Sequence, residues 1–318
     1  GDEIELTAKD VEVVSDHSFN VGESTVSGNL TLTSGAAENG QGAYGITDTD
    51  DVAVGGNFSA ETTANNGAIV MRTLEVDGTI ALATHGTGNG TIENDNGINF
   101  AASNVRGNLN ATATLGNITE SGTEALTVTG TSTFTTSASD ADITLATTTN
   151  AFTGAVSLNT TGSGGNAEVI DASALNLGAS TVGGTLSARA VTGDISNSGN
   201  LAITGAATFR TDADGSNIAL DSSGNVFSSA VTLQADDGSE AFGNITFVDS
   251  AAVDFDSSAS ANGDLYINAS TDGAVGGNLS VTATTGNITQ NVALAVTGTS
   301  TFITGATGSN IILDHADN

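Results

Sequence analysis

Along residues 278–284, NLSVTAT, apolar and polar positions alternate without a break. Leu279, Val281 and Ala283 fall on one side, and Ser280, Thr282 and Thr284 on the other. The same alternation runs through Leu109, Ala111 and Ala113, and again through Leu186, Ala188 and Ala190. Period two in short runs bounded by Gly, Asn and Asp predicts half-buried strands whose outward positions are free to vary. Thr, Val and Ile dominate the runs, and branching at Cβ suits a pleated surface better than a helix. No stretch carries the i, i+3, i+4 apolar spacing of an amphipathic helix. The chain reads as all-β.

The strands recur in blocks. VTGTSTF occurs at 128–134 and again at 296–302. GNLNATATLGNIT at 107–119 matches GNLSVTATTGNIT at 277–289 in ten of thirteen positions, and GTLSARAVTGDIS at 184–196 is a weaker copy. Downstream the blocks stay in step: Val128, Ile203 and Val296 are each followed after six residues by Phe134, Phe209 and Phe302. Nine residues later come Ile143, Ile218 and Ile311. What is copied is a core under a variable polar skin, so the repeat is the unit of architecture.

Short strands at a steady coil length stack each coil on the next as a parallel β-helix. The alternative, a string of β-sandwiches, needs closed units of about 100 residues with larger, aromatic-anchored cores. Here the inward positions are mostly Ala, Val, Leu and Ile, and Trp is absent. The fold expected is a right-handed parallel β-helix, one continuous β-solenoid over 1–318. Its copies lie at approximately 56–106, 107–183, 184–276 and 277–318. Strand pairs every 17–22 residues predict about sixteen coils, a rod on the order of 75 Å. The extra residues at 234–275 read as a further coil, because NITFVD at 244–249 and DLYINAS at 264–270 alternate.

Composition sharpens this picture. The 41 Gly residues are expected to supply positive-φ turns. Pro is absent, as a stack in which nearly every strand is central requires. Cys is absent too, which removes disulfides and thiolate chemistry together. Thirty-six acidic residues against five basic ones give a net charge of −31, which excludes nucleic acid and anionic membranes as partners. No apolar run reaches transmembrane length, and a start at Gly1 reads as a processed or excised piece.

Repeats of the form GNLxVTATTGNIT…ALxVTGTSTF…NIxLD resemble the filamentous-haemagglutinin type found in long bacterial surface and secreted adhesins. The resemblance covers 107–318 well and 1–106 loosely. It implies a β-helix carried outside the cell, at the cell surface, acting as a fibre, stalk or adhesin.

Candidate chemistry is sparse. Polysaccharide-cleaving β-helices need facing carboxylates, and sugar clefts lean on aromatic faces. This chain offers only Tyr44 and Tyr266 beside eleven Phe, and Lys9, Arg72, Arg106, Arg189 and Arg210 are scattered. Asp140/Asp142 and Asp212/Asp214 form pairs, but the third copy has GSN at 308–310 in their place, so turn chemistry explains them. No enzyme and no bound cofactor are expected. Calcium is the stronger site hypothesis, with Asp48, Asp50 and Asp51 in one loop and Asp212, Asp214 and Asn217 in another. Turn capping is the competing explanation there too. His17, His85 and His315 are isolated, and ten Asn-x-Ser/Thr sequons, several within GN[L/I/F][S/T], follow from turn structure without glycosylation.

Leu109, Val128, Phe134, Ile143, Leu201, Phe209, Leu279, Val296 and Phe302 are expected inside, with the intervening Thr and Ser exposed. Both ends, IELTAKDVEVV at 4–14 and LDHADN at 313–318, lack a cap. The expected partner is therefore the protein itself, head-to-tail or as part of a longer chain. Surface glycans or matrix are the other candidates.

Overall fold

A computed structural model describes residues 3–35, 45–235, 243–256, 264–267 and 274–318. Its elements are strands, with no helix among the described residues. The chain forms two compact units, Gly1–Asn159 and Thr160–Asn318. Each is a β-solenoid of parallel ladders. In the first unit Ile69–Val76, Gly90–Asn94, Leu109–Ala113 and Ser132–Ser139 pair in succession. In the second, Ala167–Asp171, Leu186–Ala190, Ala207–Thr211 and Val231–Ala235 do the same. Tyr44, Asn268 and residues 268–270 lie outside the described residues.

Register makes the inward columns. Ile92, Ala111 and Phe134 lie one above another, as do Ala188, Phe209 and Leu233. A bulky ring next to Ala lets neighbouring coils interlock at close spacing. Gly90 pairs with Leu109 in the same way, and the Leu109 methyl lies 3.3 Å from where a Gly90 Cβ would sit. Phe rings continue the interlock: Phe134 meets Phe100 at 6.2 Å and Phe152 at 6.0 Å, edge to face. Phe227 stacks on Phe247 at 5.2 Å in the second unit. Such pairs each add about 0.5–1.5 kcal/mol beyond the area they bury.

Seven of the nine expected core residues are buried. Val296 and Phe302 are half-buried instead, because the last described coil has a neighbour below it and none above. A second correction concerns Ser and Thr. Outward ones are exposed or half-exposed, but Thr62, Thr84, Thr136 and Thr160 point inward and are buried. Each donates its hydroxyl to a carbonyl four or five residues later, so the buried oxygen is satisfied and the turn is clipped.

Coils are longer and fewer than the strand spacing suggests. Register partners lie 17 positions apart at Ile4 and Val21 and 35 apart at Val253 and Ile288. The described residues make about 12 turns rather than sixteen. Residues 244–249 do form a coil strand, Ile245–Asp249, paired on both sides.

Glycine has a different main role from the one expected. Among the described residues only Gly86, Gly122, Gly162, Gly215 and Gly308 combine Gly with positive φ. Elsewhere the backbone approaches too closely for a side chain. The Gly56 amide donates to the Gly28 carbonyl at 2.9 Å, and the Gly78 amide to the Gly56 carbonyl at 3.0 Å. A Cβ on Gly78 would lie 2.4 Å from the Gly56 oxygen.

Beside this column runs another made of asparagine. Asn29 Oδ1 accepts the Asn57 amide at 2.9 Å, and Asn57 Oδ1 accepts the Thr79 amide at 2.9 Å. In the second unit Asp194, Asn217, Asn244 and Asn278 continue likewise to Thr299. Each side chain stands in for a backbone carbonyl at the corner, where the ladder would otherwise leave an N–H unpaired. This explains the GN dipeptides and most of the sequons.

Candidate functional site

Two of the calcium candidates, Asp48 and Asp212, are engaged by the protein's own backbone and cations. Asp48 Oδ2 accepts the amides of Arg72 and Thr73 at 2.6 and 2.8 Å, and the Thr73 hydroxyl at 3.0 Å. Those two amides sit where Ile69–Val76 slips register between Met71 and Leu74, so Asp48 closes a bulge. Asp50 and Asp51 are exposed, and the Asp50 carbonyl accepts the Thr73 hydroxyl. Asp212 is gripped by Arg189, and it meets Arg210 Nε at 2.8 Å. Arg189 and Arg210 are register partners on adjacent strands. The Asp212 hydrogen bond raises the Arg189 pKa above its ordinary value. Asp214 is exposed, and Asn217 belongs to the asparagine column.

Turn chemistry accounts for Asp140. It adopts φ +62° at the place where the later copies have Gly215 and Gly308, both also at positive φ. Asp is among the few residues that tolerate this conformation. The Asp142 amide donates to Asn117 Oδ1. His85 Nδ1 lies 2.7 Å from the Thr62 carbonyl, and His17 is exposed. His315 lies 3.9 Å from Asp317.

Carboxylates do converge at Asp254, Asp256 and Asp264, each with an oxygen within 4.8 Å of the others. Among the described residues this is the group whose spacing could hold a metal ion. Parallel pairing of Asp254 with Asp264 brings them together. Asp264 is buried, Thr289 donates to Asp254 at 2.8 Å, and Asn291 donates to both Asp254 and Asp256. Sequence reasoning passed over this group because its members come from two strands. The only signal was the outward DxD of VDFD at 253–256.

A groove of about 670 Å³ lies in the first unit between the 119–123 corner and residues 144–149. Its lining is Thr-rich, with Gly122 at φ +69° and Glu120 at one wall. Two features make this corner differ from its copies. From Ile118 to Leu126 is eight residues, whereas Ile195 to Leu201 and Ile288 to Leu294 are six. Glu120 also replaces the amides Asn197 and Gln290.

Those amides have a common partner. A corner asparagine in the following coil, Asn225 or Asn318, accepts the Leu201 or Leu294 amide through Oδ1 at 3.0 or 3.1 Å. The same oxygen accepts Asn197 Nδ2 at 2.8 Å, or Gln290 Nε2 at 2.7 Å. Asn150 repeats the first bond, to Leu126 at 2.9 Å, and is fully buried. Opposite it, Glu120 Oε2 accepts the Thr147 amide at 2.9 Å, while Oε1 is buried with no donor. Burial pushes the Glu120 pKa up, against hydrogen bonds from Thr147 and Asn150 that pull it down.

Comparison with known proteins returns one finding. Neither curated proteins nor solved structures gave a match. Three segments, 87–159, 164–234 and 258–318, match the family described as repeats of unknown function (DUF5649). These segments cover more than half of the sequence and fall on the coils described above, one ending at Asn159 and one at Asn318. The chain therefore belongs to the family of DUF5649 repeats, built as β-solenoids.

Proposed function

We propose that this protein is a structural and adhesive β-solenoid of the filamentous-haemagglutinin type, carried outside the bacterial cell, and that it performs no catalysis. The observation that supports this reading is how the recurrent polar side chains are used. Asn and Asp at the corners bond coil to coil, and inward Thr and Ser clip turns. What recurs therefore holds the stack together, and what varies faces solvent. In such a device the ladder carries load while the variable skin makes contacts. Half-buried apolar residues at both outer coils, among them Ile4, Val13, Val296 and Phe302, suit further coils from a second copy or a continuing chain.

Antibody labelling of intact source cells, with negative-stain imaging of the native material, tests this directly. Surface label on elongated material is the expected result. Label confined to the cell interior would overturn it. So would polysaccharide turnover abolished by changing one Asp pair.

A calcium-dependent form of the same role is the second reading, and the Asp254, Asp256 and Asp264 group favours it. Calcium should then raise the melting temperature of the wild type and not of Asp254→Asn. Equal shifts in both proteins would reject the site.

A further inference from the structure

In two of the three corners an amide side chain closes the gap to the following coil, and in the third a glutamate stands there. Gln290 and Asn318 make two reciprocal bonds: Nε2 to Oδ1 at 2.7 Å, and Asn318 Nδ2 back to Oε1 at 3.0 Å. A carboxylate can make only the second of these, since it has no proton to donate. A carboxylic acid can make both.

The surroundings of Glu120 match that need. Asn150 Oδ1 accepts one hydrogen bond, from the Leu126 amide, where Asn225 and Asn318 accept two. Glu120 Oε1 is shut off from water with no donor of its own, so a free ligand in the groove does not reach it. We propose that Glu120 is a proton-dependent latch: as the acid its Oε1–H donates to Asn150 Oδ1 and closes the corner, and loss of that proton releases the 121–125 turn from Asn150.

Few charges compete for control of this group. The strand beneath, Ile98–Phe100, and the strand above, Ile143–Leu145, carry none. Nearby acids are Glu124, exposed on the inserted turn, and Asp142, which precedes the upper strand and donates its amide to Asn117. Burial favours the protonated form of Glu120, against the hydrogen bonds from Thr147 and Asn150. The two extra residues of this corner, with Gly122 free of close contacts, give the released turn somewhere to go.

Linkage fixes the sign. A carboxyl whose folded pKa is raised stabilises the closed form below its unfolded pKa, and this is lost as pH rises through the folded value. The test is amide exchange of the full chain between pH 5 and 8, corrected for intrinsic rates and read at Leu126. Wild type should lose protection there by about tenfold for each unit by which the closed-state pKa exceeds the open-state one. Glu120→Gln, which donates at every pH, should hold protection to within about twofold across the range. Glu120→Ala should be poorly protected throughout, again without pH dependence. The Leu201 and Leu294 amides, latched by Asn197 and Gln290, serve as internal controls and should stay flat. Parallel pH profiles for wild type and Glu120→Gln at Leu126 would overturn the latch. So would a wild-type profile as flat as the controls.

Discussion

The heptapeptide VTGTSTF occupies two places and meets two fates. At 128–134 Val128, Ser132 and Phe134 are all buried; at 296–302 Val296 and Phe302 are half-buried and Ser300 is exposed. Contacts with the preceding coil are the same in both. Gly130 donates to the Gly107 carbonyl at 2.9 Å and Gly298 to that of Gly277 at 3.0 Å. Thr131 and Thr299 donate to Asn108 and Asn278 at 2.9 and 2.8 Å. Contacts with a following coil separate them. Phe134 lies between the rings of Phe100 and Phe152, whereas Phe302 has Phe255 alone. A coil therefore determines only half of its own burial, and its successor determines the rest.

The largest effect follows from the aromatic pair. Phe134→Ala should cost about 3–5 kcal/mol, as a buried ring does when removed from a packed site. Phe302→Ala should cost less than half of that in chemical denaturation. Equal losses would mean that something covers Phe302 in solution. If copies stack end to end, the Phe302→Ala penalty should grow with protein concentration while that of Phe134→Ala does not.

Glycine reverses the expectation. A Cβ at Gly130 would lie 2.3 Å from Asn108 Oδ1, and one at Gly298 would lie 2.4 Å from Asn278 Oδ1. Both clashes are with the coil below, so Gly130→Ala and Gly298→Ala should each destabilise by about 1–3 kcal/mol. Local amide exchange is the suitable readout, because opening in a stacked array need not be global. A mild Gly298→Ala beside a severe Gly130→Ala would break the symmetry argued here.

Smaller still is the asparagine bond. Asn108→Ala and Asn278→Ala should each lose about 1 kcal/mol, the net worth of one hydrogen bond with its orphaned amide near water. Their costs should agree, since both bonds point at a coil that is present.

The weakest effect is titration. Burial holds the Asp249 carboxyl above the ordinary range, despite amide bonds from Phe227 and Ala251 that pull it down. The folded state keeps that proton more tightly, so stability falls as pH rises from the unfolded value through the folded one. Asp249→Asn should flatten that part of the melting-temperature profile.

Period-two alternation made the strands legible, and step-locked Phe and Ile positions made the columns legible, because both are local patterns. Coil length was not, since residues joined across the stack stand 17 apart at one place and 35 at another, with no marker between. GN pairs looked like turns, and only the ladder reveals that the Asn oxygen serves the next coil. The fate of Asp48 was equally hidden: nothing in ITDTDD announces a bulge at Arg72 and Thr73. Glu120 was visible in principle, as a two-residue insertion and a lost amide between aligned copies.

The short reach of the asparagine column bears on how the chain acquires its fold. Contacts along that column span 19 to 34 residues of 318, so their relative contact order is about 19/318 to 34/318, or roughly 0.06–0.11. That range belongs to helical bundles, whereas all-β sandwiches and barrels lie near 0.16–0.22. Each coil needs only its predecessor as a template, and the predecessor already offers its glycine carbonyl and asparagine oxygen. Folding can therefore advance vectorially with synthesis, one coil at a time. An all-β chain of this size then avoids the slow search for distant partners that strands otherwise face.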